Sequence, residues 1–535
     1  MVDGPANHLT IEERRSRLRR FQTAWREVHW EKEELFTVTG VALEYFAGGV
    51  LGYGNTTEGL TFRRLGGYSR GLPGKIWHLP DFGITLYGFA LDPLQDLLVL
   101  LEVFESTESS QGMPAPDTPF QLRVHLRSLS TGEAHPAAFS PRFIEHQPLH
   151  FNPINWTCYT FISDNHMAIF FVPGAEVDIV SYLPEVSVWR WKTGERRLCV
   201  SYPDIDDFAF LDESRVLLAI RGSHEACLGV YDLTRTSGER HFWTDNAREY
   251  ALLYPRFPRT IAYSRLQIRA DQPVSQHSPE GLPFHLDPSG RVITVMLYLY
   301  LPDTDSEHTF VHFIPLACLL TPREFDSALT GKAPNYEFEM WSQYTRLLEE
   351  SKGTNFVSNM SGSRCASCFE LEAGDSPGLN ITLYDLNPLA VRQDLATGVD
   401  NGATCFTREG LVTIVVGDGS EDYDLCTELP YRKRVVPMPQ ELITQYRFHD
   451  AMISDDNIVL VSDQDDDRRG STMAVSWDYS CKLDPSWLMM SDSWHYVWVD
   501  TTYILPSVAQ SISTATSSPY RTSMSLNTTL AASEH

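Results

Sequence analysis

The chain has 535 residues, 42% hydrophobic and 12% aromatic, enough apolar side chain to bury a large core and to exclude wholesale disorder. Its formal charge of −27 repels phosphate backbones, so nucleic acid is not an expected partner. The first residues lack a signal peptide's apolar core, and the longest apolar run, Val292 to Leu301, is about half a bilayer span, so no membrane association is expected. Nine cysteines, odd in number and irregularly spaced, fit reduced buried thiols and predict a cytoplasmic or nuclear location.

In chain order, Thr10-Ile11-Glu12-Glu13 reads as a capping box and predicts a helix from Thr10 to about Trp30. Ile11, Leu18, Phe21, Trp25 and Val28 recur at helical spacing and gather on one face, which should dock onto the body of the protein. Arginines and glutamates occupy the opposite face, so the helix is charge-balanced. After Glu34 the pattern changes to short apolar runs punctuated by turns. A helical patch is predicted around Glu337 to Glu350, as an insertion between strands.

A weak internal repeat runs through this region: an apolar pair, a polar turn rich in Asp, Ser or Gly, then a second apolar run. Five copies have their turns at Asp92-Pro93, Ser163-Asp164, Asp212, Asp287-Pro288 and Ser454-Asp455-Asp456, and two poorer copies lie at Phe356 to Phe369 and Cys405 to Val416. Several are followed by a third strand ending in a Thr-Gly or Ser-Gly turn, as at Thr131-Gly132, Thr193-Gly194 and Ser237-Gly238. The copies recur at roughly 47 to 75 residues, which a four-stranded propeller blade with insertions accommodates. The expected fold is therefore all-β, a β-propeller of seven irregular blades with an N-terminal helix. The expected organisation is residues 1–34 helix, 35–467 propeller, 468–506 unassigned and 507–535 a disordered Ser/Thr-rich tail.

The motifs that could carry chemistry read as structure. Cys365-Ala366-Ser367-Cys368 has redox-pair or half-zinc-site spacing, but no second CxxC exists, so buried core thiols are expected. His146 and His150 are separated by Pro148, which argues against the helix that would align them for a metal. The acidic runs Asp418 to Asp424 and Asp463 to Asp467 lack the calcium-loop layout, and Gly49 to Gly54 lacks the Lys-Ser or Lys-Thr pair of a phosphate loop. No catalytic, cofactor-binding or metal residue is nominated.

The segments Glu12-Glu13-Arg14, Ala24-Trp25-Arg26, Ala47-Gly48-Gly49-Val50, Leu91 to Glu102 and His125 to Glu133 together resemble fungal F-box proteins with a propeller-like C-terminal region. Leu429-Pro430-Tyr431-Arg432 and the Met452 to Asp456 turn continue the resemblance, which spans roughly residues 1–465. It implies a protein-interaction platform like the substrate-recognition part of a ubiquitin-ligase subunit. In that family an F-box precedes the Trp-bearing helix and engages the adaptor of a cullin ligase; here the chain begins at the helix, so adaptor binding is expected only if an F-box lies upstream. The alternative is a propeller enzyme with an axial active site that leaves no sequence motif.

Overall fold

The computed structural model describes residues 2–3, 9–28, 32–37, 43–55, 58–105, 120–139, 142–149, 153, 156–173, 183–222, 225–242, 248–258, 260–272, 282–302, 304–321, 333–350, 360–371, 378–397, 404–406, 410–416, 421–438, 447–464 and 469–476. The chain is a β-propeller with an N-terminal helix. Six sheets follow one another in sequence, each with four antiparallel strands from its own stretch. They are Leu43–Leu79, Leu86–His146, Trp156–Ser201, Ile205–Leu253, Ala262–Glu350 and Met360–Pro437. The sheet that closes the ring is composite: Arg447–Ile453, Asn457–Gln464 and Arg469–Ser476 are joined by Lys32–Thr37 from the other end of the chain. Such closure covers the two sheet faces that a linear stack would leave exposed at its ends.

The sequence repeats differ from the sheets in three places. The copy at Cys405 to Val416 begins no sheet; Gly410–Val416 pairs with Glu421–Thr427 as a separate hairpin inserted before Tyr431–Pro437. The first sheet went uncounted because its first turn is Gly48-Gly49, with φ of 55° and 75° and no acidic residue to mark it. In the fifth sheet Phe284–His285 is not the first strand; Ala262–Arg269 is, and Phe284–His285 pairs with Val2–Asp3 instead. The helical patch at Glu337 to Glu350 is shorter than expected, Phe338–Trp341, and its second half is the strand Arg346–Glu350. Arg469–Ser476, in the stretch that periodicity leaves unassigned, is a strand, and residues 477–535 lie outside the described residues.

The N-terminal helix, Ile11–Glu27, carries the full capping box at Thr10 and Glu13. Phe21, Ala24 and Trp25 are buried against Ala366, Ile381 and Leu383 of the sixth sheet and Ala451, Ile453 and Leu460 of the closing sheet, while Ile11 is exposed rather than docked. The Trp25 indole donates to the Asp455 carbonyl at 3.0 Å, and the Arg364 guanidinium lies 4.6 Å from its ring centre. The helix thus bridges the last contiguous sheet and the closing one.

Candidate functional site

The acidic turns that made the repeat visible stitch neighbouring sheets together. Gln95 donates to the Asp164 carbonyl (2.8 Å), Arg291 to the Leu211 carbonyl (2.7 Å), the Gly362 amide to Asp271 (2.7 Å) and Ser361 to Asp455 (3.0 Å). At the seam where the first sheet meets the closing sheet, Arg70 bonds both Asp456 and Asp455. Burial pushes the Asp456 carboxyl up, and the facing Arg70 charge pulls it back. The Asp164 and Leu211 carbonyls and the Gly362 amide are satisfied across a sheet boundary, and Asp455 and Asp456 bond side chains across one, so these turns tie the ring together.

Side chains also meet across the ring's interior. Tyr45 of the first sheet donates to the Thr160 carbonyl of the third at 3.2 Å. Gln272, just beyond the first strand of the fifth sheet, donates to the Leu91 carbonyl of the second sheet at 3.1 Å and to the Tyr45 hydroxyl at 3.4 Å. The second and fifth sheets are not ring neighbours, so this bond spans the channel. Burial raises the Tyr45 hydroxyl to about 12.

An axial enzyme needs carboxylates and histidines from several sheets converging in one place; among the described residues, several buried ones are engaged in bonds between neighbouring sheets or within the core. Asp206 and Asp207 accept the Leu266 and Ile268 amides at 2.7 and 2.8 Å. His312, lowered to about 3 by burial, lies between Tyr254 and Thr345 inside the fourth-to-fifth sheet core. Among the described residues, no group of three His, Cys, Asp or Glu is placed to hold a metal ion. Cys365 is buried, the Cys368 side chain lies outside the described residues, and so do His150 and most of both acidic runs. An apolar cavity lined by Tyr254, Phe257, Phe338, Ile414 and Leu425 sits where the inserted hairpin covers the fifth sheet.

His146, singled out as half of a histidine pair, belongs to a buried cluster that sequence spacing did not reveal. Its Nε2 lies 2.6 Å from Glu185, whose carboxylate also accepts from Ser201 (3.1 Å), the Leu149 amide (3.1 Å) and Arg240 (3.2 Å). Ser187 is 3.5 Å from the same His146 nitrogen, so no relay with carboxylate and hydroxyl on opposite ring nitrogens forms. Burial alone would raise Glu185, but the bond from His146 and the Arg240 charge outweigh it and hold the carboxyl at about 2. Burial keeps His146 below its ordinary value. The pair is thus a neutral histidine donating to a carboxylate.

Acid should weaken this junction between the second and third sheets. Both groups are lowered on folding, so the unfolded chain binds protons first and stability falls as pH drops from about 6.5 toward 2. Glu185→Gln is expected to lower the melting midpoint at neutral pH and to flatten its decline in acid. An unchanged acid slope in a pH series of thermal melts would place the sensitive groups elsewhere.

No protein-family model matches the chain, and no curated protein matches it. Among solved structures, the chain is similar to the WD40 domain of SCAP from fission yeast, at 11% identity and TM-score 0.35, covering 84% of this chain and 98% of that one. It is also similar to the β-propeller domain of the trilobed protease from Pyrococcus furiosus (12% identity, TM-score 0.26, 74% and 95% covered). A third similarity is to an acylaminoacyl peptidase from Pyrococcus horikoshii (10% identity, TM-score 0.31, 72% and 50% covered).

Proposed function

We propose that the chain is a protein-interaction platform in the cytosol or nucleus, similar in role to the substrate-recognition part of an F-box ubiquitin-ligase subunit, and that it binds rather than catalyses. The observation that carries this reading is where apolar surface is left uncovered. Of the nine large apolar side chains exposed among the described residues, five fall between residues 388 and 435: Leu389, Leu395, Phe406, Leu411 and Val435. They sit on the Pro388–Thr397 helix, the inserted hairpin and the outer strands of the sixth sheet. A concentration of exposed apolar side chains beside charged ones is what a partner-binding surface presents. The N-terminal helix adds little to it, because Phe21, Ala24 and Trp25 are covered by the sheets and only Ile11 of its apolar face is exposed.

The test is affinity purification with the full chain against Leu389→Arg/Leu395→Arg. Surface changes of this kind should shift stability by no more than about 0.5 kcal/mol. At least one protein should be enriched with the native chain and lost with the variant, at an unchanged melting midpoint. Equal recovery by both would contradict the reading.

A further inference from the structure

Three sheets carry a strand beyond the usual four. Arg240–His241 and Asn335–Tyr336 run parallel to the outer strands of the third and fourth sheets, and Thr404–Phe406 runs antiparallel to Tyr431–Pro437 in the sixth. The outer edges of this propeller therefore accept short added strands from its own chain. In the first sheet the outermost strand, Lys75–Leu79, carries none among the described residues, and Lys75, Ile76 and His78 are exposed.

The phase of that edge follows from one bond. The Leu65 amide donates to the Gly49 carbonyl, which turns alternate residues of Gly59–Arg64, including Arg63, toward Val50–Asn55. Arg64, Phe62 and Leu60 therefore exchange bonds with their partners Lys75, Trp77 and Leu79. No register shift interrupts either pairing. Ile76 and His78 consequently direct their N–H and C=O groups away from the sheet, the template on which a further strand adds.

Charge selects the occupant. In a chain of net charge −27, residues 59–80 contain Arg63, Arg64, Arg70 and Lys75 and no Asp or Glu. Arg70 is neutralised at the seam, whereas Arg64 and Lys75 face each other as a like-charged cross-strand pair. Pro73 and Pro80 bracket the strand, which limits pairing to a short segment. We infer that the Lys75–Leu79 edge binds, by strand addition, a short extended segment of a partner protein in which acidic residues alternate with apolar ones. An acid then lies beside Lys75 and an apolar side chain beside Ile76. This inference rests on the reading of the chain as a protein-binding platform, but it uses a surface separate from the 388–435 stretch.

The test titrates the full chain with a synthetic peptide of about six residues, the usual strand length, alternating Glu and Val. The Glu peptide should bind, and replacing its Glu by Lys or N-methylating its pairing amides should weaken it by about tenfold or more. Ile76→Pro removes an outward N–H but no ladder bond, so it should leave the melting midpoint near that of the native chain and weaken binding similarly. Lys75→Glu, which needs no backbone change, should favour the Lys peptide over the Glu peptide. Leu389→Arg should bind the Glu peptide normally, so the two surfaces can fail separately. No binding of the Glu peptide, equal binding of both peptides, native affinity in both edge variants, or displacement by a single-stranded oligodeoxynucleotide at equal affinity would each overturn the inference.

Discussion

Arg70→Met is expected to destabilise the chain by about 3 to 5 kcal/mol, because it removes the charge that compensates a buried carboxylate and leaves that carboxylate in place. Arg70 is 7% exposed and Asp456 4%. The Asp456 carboxylate is backed by Gly67, where any Cβ would meet its oxygen at 2.5 Å, so it cannot turn away on that side. Asp456→Asn alone should also destabilise, and the double variant should lose less than the sum of the two, since the groups act as a unit. Urea titration with a common slope measures both effects. A loss within the range of ordinary surface changes would mean that the seam between the first and closing sheets does not bear on stability.

Trp25→Ala should cost about 3 to 5 kcal/mol, the range for truncating a buried aromatic that leaves a cavity. The indole is 4% exposed and sits between two sheets, so neither sheet alone can collapse into the space. Trp25→Phe separates the ring from its donor. It keeps most of the apolar burial and loses only the bond to the Asp455 carbonyl, for which about 1 kcal/mol is expected. If alanine and phenylalanine cost the same, the hydrogen bond rather than the packing anchors the helix. An unchanged midpoint for alanine would show the helix undocked.

The helix and the strand-turn repeat were legible because both are local. Thr10 and Glu13 are a turn apart, and an Asp turn between two apolar runs is read within about a dozen residues. What escaped has no local signal. Arg70 lies in an aperiodic stretch and meets Asp455 across 385 residues; Gly48-Gly49 turns the chain with no acidic marker; and Gln272 reaches the channel from an insertion. The copy at Cys405 to Val416 misled for the converse reason: alternating Val412 and Ile414 suit a hairpin as well as a blade, and periodicity does not tell them apart. His146 was visible only as a residue type, because Glu185 joins it through folding alone.

Closure of the ring by Lys32–Thr37 carries the rest of the account, since the edge-strand and rim surfaces both presuppose a rigid propeller. Native-state hydrogen exchange read by mass spectrometry tests it directly. Of the Lys32–Thr37 amides, those bonded to Arg469–Ser476 should exchange only with global unfolding, at the rate of the Val292–Leu301 strand, which pairs on both sides. Arg70→Met should accelerate the two segments together. Rapid exchange of those bonded amides while Val292–Leu301 stays protected would show an open ring and contradict the account.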